Sequence, residues 1–251
     1  MKRALAAVLL VCLSAPAAAA PAAIAKPRAE FPASETLVYR VRWFGIPIGT
    51  GWIKIRRVGS GDSARCVITA RAQANDFLMH FYPVKDTMKS LVRAGGLTAL
   101  WAEKNIKEGR YRAHERVTFD SDRKTAHYHS FTNGSEKEVP LGGPVHDVLG
   151  AFYWFRLQEA RAGERNSTTV FADEKTWDFA VKVLRTEKLE IRNLGTFDVF
   201  VAEPEAHFKG VLVDRGKVSV YFTADERRIP VLIRLSTRYG PASGTLERIA
   251  E

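Results

Sequence analysis

Hydrophobic and polar residues alternate along most of this 251-residue chain, which predicts β-strands. Leu37, Tyr39 and Val41 are separated by mostly polar residues, as in a strand that buries one face. A Gly/Pro-rich turn at 45–51 and a second alternating run at 52–56 complete a hairpin. Segment 75–82 is ambiguous between a short helix and an apolar loop. The further predicted strands are 64–74, 86–93, 97–105, 109–119, 124–131, 168–172, 177–191, 195–203, 211–213, 218–223, 231–238 and 245–249.

One long segment has helical spacing instead. Apolar residues within 148–155 recur at intervals of three and four, which predicts an α-helix near 147–161. Asp147 is suited to the N-cap, and Gly163 is suited to a stop after the last turn. A dozen or so strands with one principal helix predict a mainly β fold. We expect a large antiparallel curved sheet, arranged as a half-open barrel or as a sandwich.

The N-terminus has the pattern of a secretory signal peptide. Basic residues at 1–3 precede a short apolar run and small residues up to position 20. The apolar run is shorter than the roughly 20 residues that a membrane span needs. Cleavage after Ala19 or after Ala25 fits the small-residue pattern equally well.

The predicted domain organisation follows from this N-terminus. Residues 1–25 are a signal peptide and lead-in, and the Ala/Pro-rich stretch 20–32 predicts a flexible segment. Residues 33–251 are predicted to be a single β-rich domain in the periplasm, without a transmembrane span in the mature chain. Removal of the signal leaves Cys66 as the only cysteine, in an apolar strand, where a buried and unreactive thiol is expected.

The net charge of +10 falls by two when Lys2 and Arg3 are removed. A basic exported protein is suited to anionic envelope partners such as lipid headgroups or acidic polysaccharide. Nucleic acid is not expected, because the chain contains no recognition motif and is predicted to be exported. The sequence does not indicate an oligomeric state.

A basic face is predicted on the hairpin around 120–123. Alternate positions on its first strand are basic or histidine, and the second strand adds histidines to the same face. We predict a register that pairs Phe119 with Lys124, so that Arg116 lies opposite His127. The candidate anion-binding residues on this face are Arg110, Arg112, His114, Arg116, His127 and His129.

The three imidazoles of this face are also suited to a metal, but the flanking arginines would repel a cation. A merely solvated strand face is the remaining interpretation. We therefore assign no metal site and no cofactor.

Hydrolase signatures such as Gly-x-Ser-x-Gly and His-Glu-x-x-His are missing from the sequence. His146 and Asp147 are adjacent at the helix start and point in different directions, which favours capping over an acid–base pair. A triad assembled in space stays open. No catalytic residue is assigned, and a non-enzymatic protein is expected.

The aromatic residues of the predicted helix provide a second candidate site. Phe152, Trp154 and Phe155 either fill a closed core or cover an apolar cavity. A half-open barrel lined by such side chains can hold a lipid-like ligand.

Four segments in order resemble a bacterial exported family, the domain of unknown function 3108. They are LVYRVRWFGIPIG at 37–49, HDVLGAFYWFR at 146–156, VFAD at 170–173 and DERRIPV at 225–231. The resemblance implies an export signal and a β-rich periplasmic domain. The family has no established activity or catalytic residues, so the resemblance assigns no functional residue.

The sequence thus predicts an exported protein that binds an amphipathic or anionic envelope component. Two alternatives stay open: a structural or assembly partner in the envelope, and an envelope hydrolase with an unrecognised site.

Overall fold

A computed structural model describes residues 23–208, 211–212, 217–237 and 240–250. The signal peptide prediction rests on residues 1–22 and lies outside the described residues. The two helices are α1 (Asp76–Phe81) and α2 (Val148–Arg156). The strands are β1 (Ser34–Trp43), β2 (Ile46–Val58), β3 (Arg65–Ala74), β4 (Lys85–Arg93), β5 (Ala99–Glu108), β6 (Tyr111–Asp120), β7 (Thr125–Ser130), β8 (Glu136–Pro140), β9 (Arg165–Ala172), β10 (Lys175–Ile191), β11 (Gly195–Phe208), β12 (Val211–Leu212), β13 (Lys217–Thr223), β14 (Pro230–Thr237) and β15 (Gly240–Ala250).

All of these strands belong to one antiparallel sheet. Its order is β8-β7-β6-β5-β4-β3-β2-β1-β15-β14-β13-β11-β10-β9, and β12 pairs with β11 beside this path. The sheet is curved but not closed, because β8 and β9 form its two edges. The prediction of a mainly β protein with a large curved sheet is confirmed, and its half-open form is the one found rather than the sandwich.

Helix α2 lies in the concave face of this sheet and joins its two halves. Leu149 and Tyr153 pack against Ile55, Ile68 and Val92 in the half formed by β2–β4. The opposite side of the helix packs against β10, β11 and β13. The alternation of apolar residues along each strand therefore builds one face that the helix covers, as the sequence pattern requires.

The strands end at two opposite edges of the curved sheet. We call the edge that the N-terminal segment 23–33 crosses the closed end, and the opposite edge the open end. The closed end carries the turns at 59–64, 94–98, 121–124, 192–194 and 224–229, and the N-terminal segment 23–33 crosses it. The open end carries the connections at 44–45, 75–84, 109–110 and 131–135.

Residues 23–32 are held against the closed end, whereas the sequence predicted a flexible lead-in. The Ala25 amide donates to the Ala224 carbonyl at 2.7 Å, and Arg228 donates to the Ala25 carbonyl at 3.1 Å. Ile24 packs against the apolar cluster around Phe155. The prediction was wrong because these contacts come from residues about 200 positions away, which composition does not reveal.

A buried ion pair fixes α2 to β1. Both guanidinium Nη atoms of Arg156 donate to the Glu35 carboxylate, at 2.7 and 3.0 Å, and one also donates to the Arg227 carbonyl. The Arg156 and Glu35 side chains are 1% and 2% exposed. The Arg156 guanidinium also stacks on the rings of Phe31 and Tyr153, at 4.9 and 5.1 Å. A pair this deeply buried is stable only when both charges are present.

Helix α2 is shorter than predicted. Asp147 is the N-cap, as expected, and its carboxylate accepts from the Leu149 and Gly150 amides. The helix ends at Arg156 rather than near residue 161, because the amides of Leu157 and Gln158 bond three residues back and tighten the last turn. Arg228 then binds the Gln158 carbonyl and draws the chain away from the helix axis. The predicted stop at Gly163 was therefore wrong.

Several strand boundaries also differ from the prediction. The β1–β2 turn is only Phe44–Gly45, and both residues have positive φ. Gly49 is part of β2, where a Cβ atom would lie 2.1 Å from the Gln73 carbonyl oxygen, so the close approach of β3 requires glycine. Segment 75–82 contains the short helix α1. Cys66 is buried, as predicted, and burial raises the pKa of its thiol.

The register of the β6–β7 hairpin is shifted by two residues from the prediction. Phe119 pairs with Ala126, and Arg116 lies opposite His129 rather than His127. The Asp120 carboxylate accepts from two turn amides, and Lys124 adopts a φ of 53°. The loop therefore spans 121–124. A two-residue shift preserves the face of every side chain, so the basic face is formed nonetheless.

Candidate ligand-binding groove

An apolar groove of about 340 Å³ occupies the part of the concave face that α2 leaves uncovered, toward the open end. Glycine and alanine keep its floor low, so the larger side chains form its walls. Asp86 adds a carboxylate at its margin, whereas Arg71 and Ser243 contribute backbone and direct their side chains to the convex face. The apolar lining comes from seven strands and includes Tyr39, Val41, Gly51, Ile53, Ala70, Ala72, Met88, Ile106, Ile233, Leu235, Ala242 and Gly244. This volume lies within the usual range for ligand pockets.

A second, smaller cavity of about 180 Å³ lies beside the head of α2, and Met88 lines both it and the groove. Lys104 and Glu115 form an ion pair of 2.9 Å in its wall. Partial burial would lower the pKa of Lys104, but the hydrogen bond and charge of Glu115 outweigh it, so the pKa is raised. The concave face thus has an apolar groove and, on the other side of Met88, a second cavity with an ion pair in its wall.

The head of α2 closes this cavity through buried polar contacts. Ser90 donates its hydroxyl to the Asp147 carboxylate. Burial raises the pKa of Asp147, although the hydrogen bonds it accepts oppose that shift. His146 Nδ1 lies 2.9 Å from the Leu97 carbonyl oxygen, its ring packs on Trp154, and burial lowers its pKa. These contacts position the helix, consistent with capping by Asp147.

The helix aromatics chosen from the sequence lie in the core. Phe155 is 2% exposed, and its ring centroid lies 5.3 Å from that of Phe222 and 6.2 Å from that of Phe200. Phe152 and Trp154 are partly buried and pack against the same clusters. In the described part of the chain, none of the three helix aromatics lines the groove or the cavity. Their contact with a ligand stays a prediction.

The structure brings most of the predicted basic face together on the convex side of the sheet, but carboxylates accompany it. Glu103 lies 3.1 Å from His114 and 2.7 Å from Arg116. Partial burial would raise the pKa of Glu103, but the hydrogen bonds of His114 and Arg116 outweigh it and lower the pKa. The Arg116 guanidinium also lies 5.0 Å from the centre of the Trp101 ring.

The remaining members of this set divide between two places. His127 and His129 lie 3.9 and 2.8 Å from the Glu136 carboxylate. Arg110 and Arg112 are exposed at the open end, where Arg112 donates to the carbonyls of Gly109 and Tyr111. On the convex face, glutamates therefore balance the charge of His114, Arg116, His127 and His129. The positive charge of Arg110 and Arg112 at the open end has no such glutamate partner among the contacts described above. The role of this set in anion binding stays a prediction.

Sequence reasoning missed the groove itself and the two carboxylates on the basic face. Glu103 lies on β5 and Glu136 on β8, so each becomes a neighbour only through strand pairing. The small residues Gly51, Ala70 and Ala72 lie on the same face of the neighbouring strands β2 and β3. This pattern in the sequence could have predicted that part of the concave surface is unfilled.

Within the described ranges, no group of three or more histidine, cysteine, aspartate or glutamate side chains is arranged to hold a metal ion. No helix among these residues combines the length and hydrophobicity that a membrane span requires.

The open curved sheet with an internal helix and an apolar groove defines a β-barrel-like protein. The chain belongs to a family of proteins of unknown function, DUF3108, whose model matches residues 38–247. The predicted resemblance is thereby confirmed. Among curated proteins, none is significantly similar to this chain.

Two solved structures are similar in fold. One is a β-barrel-like protein with the domain of unknown function DUF1849 from Brucella abortus, at 8% identity and a TM-score of 0.54 over 86% of this chain and 97% of that one. The other is a protein with a YmcC-like fold from Bacteroides fragilis, at 9% identity and a TM-score of 0.35 over 92% of this chain and 100% of that one. The first supports the β-barrel-like fold alone, and the second supports no further conclusion.

Proposed function

We propose that this protein binds the apolar part of an amphipathic molecule of the cell envelope in the groove, without chemical conversion. The single observation that carries the proposal is the unfilled apolar concavity between Tyr39, Ala72 and Ile233. An empty groove of this size costs packing contacts that a folded core normally gains. An apolar chain in the groove would replace them and remove both apolar surfaces from water.

The amphipathic ligand is favoured over a purely anionic glycan. The convex basic face is paired with Glu103 and Glu136, which lowers its attraction for an anion. The groove, in contrast, has apolar walls with the Asp86 carboxylate at its margin. A molecule with an apolar chain and a polar head therefore matches the groove and its margin together.

The groove is tested by filling it. Ala72→Leu combined with Gly244→Leu is expected to reduce the amount of bound amphiphile about tenfold, because both side chains would occupy the space of the ligand. Thr69→Leu is the matched control, since it adds a similar side chain to β3 on the convex face. The protein is incubated with detergent-solubilised envelope lipids, purified again and examined by native mass spectrometry.

Each outcome of this experiment is decisive. A co-purifying amphiphile that Thr69→Leu retains and the double variant loses supports the proposal. No bound amphiphile on the wild-type protein, or equal amounts on both variants, contradicts it.

The proposal includes export to the periplasm, and the contacts at the closed end support cleavage after Ala19. Processing after Ala25 would remove Ile24 and Ala25, and with them the hydrogen bonds to Ala224 and Arg228. Processing after Ala19 keeps all of them. We expect the intact mass of the periplasmic protein to correspond to a chain that begins at Ala20. A mass that corresponds to a start at Lys26 would contradict this.

A further inference from the structure

The exposed apolar side chains of this protein are concentrated at one end. Of the ten large apolar side chains that are exposed in the described part of the chain, eight lie at the open end. Val58 and Val148 are the two exceptions. The eight at the open end are Trp43, Phe44, Ile46, Phe77, Phe81, Tyr82, Tyr111 and Phe131.

Most of these side chains form one surface, because neighbouring connections are tied together, whereas Phe131 packs on the rings of His114 and His129. Asn75 donates its side-chain amide to the Pro47 carbonyl at 3.0 Å, which fixes α1 beside the β1–β2 turn. The Tyr82 ring lies over Gly109, where a Cβ atom would be 2.6 Å from the ring. The Phe44 ring approaches Gly240 in the same way. The surface thus extends from Gly240, at the start of β15, to the β5–β6 turn.

Helix α1 presents the most exposed members of this surface. Phe77 and Phe81 are each 74% exposed, one turn apart, with ring centroids separated by 5.3 Å. Soluble proteins expose single apolar side chains freely, but a contiguous aromatic surface marks an interaction site.

Charge identifies the kind of partner. Lys85, Lys107, Arg110 and Arg112 are exposed around the aromatic surface. The acidic groups there include Asp76, Asp86 and Glu108, with Glu136 and Asp173 on further connections of the same end. The pKa of Glu108 is raised by burial and by the neighbouring Asp86 carboxyl. Aromatic side chains flanked by lysine and arginine are typical of segments that bind the interface of a bilayer with anionic lipids.

We propose that the open end docks on the surface of an anionic lipid bilayer, with Phe77 and Phe81 inserted among the headgroups. The groove opens toward the same end, so docking would place its mouth at the membrane surface. This surface lies outside the groove, and the proposal goes beyond the binding of a single molecule there.

Co-sedimentation with vesicles tests this proposal. The purified protein is mixed with vesicles of phosphatidylethanolamine and phosphatidylglycerol, or with vesicles of phosphatidylcholine alone. We expect binding to the anionic vesicles that weakens with salt. Phe77→Ser with Phe81→Ser is expected to weaken binding about tenfold or more, because each buried phenylalanine contributes strongly to partitioning.

Three further variants make the result specific. Val58→Ser is the matched control, because it removes an exposed apolar side chain at the closed end and should leave binding unchanged. Lys107→Glu with Arg110→Glu should reduce binding to anionic vesicles and reduce its salt dependence. Ala72→Leu with Gly244→Leu should still sediment with vesicles, which separates this surface from the groove.

Three results would overturn the proposal. They are the absence of sedimentation by the wild-type protein, sedimentation of Phe77→Ser with Phe81→Ser at the wild-type level, and equal loss with Val58→Ser. A concentration-dependent dimer that forms without vesicle binding and is lost in the double phenylalanine variant would assign the surface to a second copy of the chain.

Discussion

Replacement of Arg156 by methionine is expected to lower the free energy of unfolding by about 3–5 kcal/mol, the usual cost of leaving one charge of a buried pair without its partner. The variant would leave the buried Glu35 carboxylate without its ion-pair partner and would remove the donor to the Arg227 carbonyl. Urea denaturation followed by circular dichroism measures the effect.

Arg161→Met is the matched control for this change. The Arg161 side chain is 74% exposed, so its loss should alter the free energy of unfolding by no more than about 0.5 kcal/mol. Glu35→Leu with Arg156→Met should recover much of the lost stability, because the pair is then replaced by apolar groups. Equal stability of wild-type protein and Arg156→Met would show that the pair does not join α2 to β1 in solution.

Phe155→Ala is expected to lower the free energy of unfolding by about 3–5 kcal/mol, as is usual for truncation of a buried phenylalanine. The ring contacts Phe200 and Phe222, which belong to strands on the far half of the sheet. Its loss would leave a cavity between the helix and that half. Thermal and urea denaturation give the measurement.

Phe77→Ala provides the comparison at an exposed position of the other helix. The same truncation there should change stability by no more than about 0.5 kcal/mol. A small effect at Phe155 with loss of a bound amphiphile would instead make Phe155 a ligand contact. The outcome therefore decides between the two interpretations of the helix aromatics that the sequence left open.

Periodicity predicted most of the strands because each strand buries one face. In β1 and β10, apolar and polar residues alternate in step with this burial. The strand β8 escaped prediction, since Glu136–Pro140 lies at the sheet edge and is almost entirely polar. No alternation develops where neither face is buried. The length of α2 was overestimated because its end is set by Arg228, which is distant in sequence.

The candidate site was predictable only in part. The faces of Arg116 and His129 followed from alternation, and a two-residue error in register did not change them. The compensation by Glu103 required knowledge that β5 is the next strand. The groove depends on the space left after all side chains pack, which is a property of the assembled sheet rather than of any segment.

The pairing of β1 with β15 has a consequence for the order of folding. Thr36 lies opposite Ala250, so the segments nearest the two ends of the described chain are neighbours in the middle of the sheet. During synthesis, one edge of β1 stays unpaired until residues 240–250 have emerged. Before then, the part of the sheet formed by β1–β8 cannot pair with the part formed by β9–β15. The nascent chain therefore exposes the edge of β1, to which a strand of another molecule can pair, until β15 is complete. The same proximity makes a circular permutation, with a linker between these segments, compatible with the native sheet.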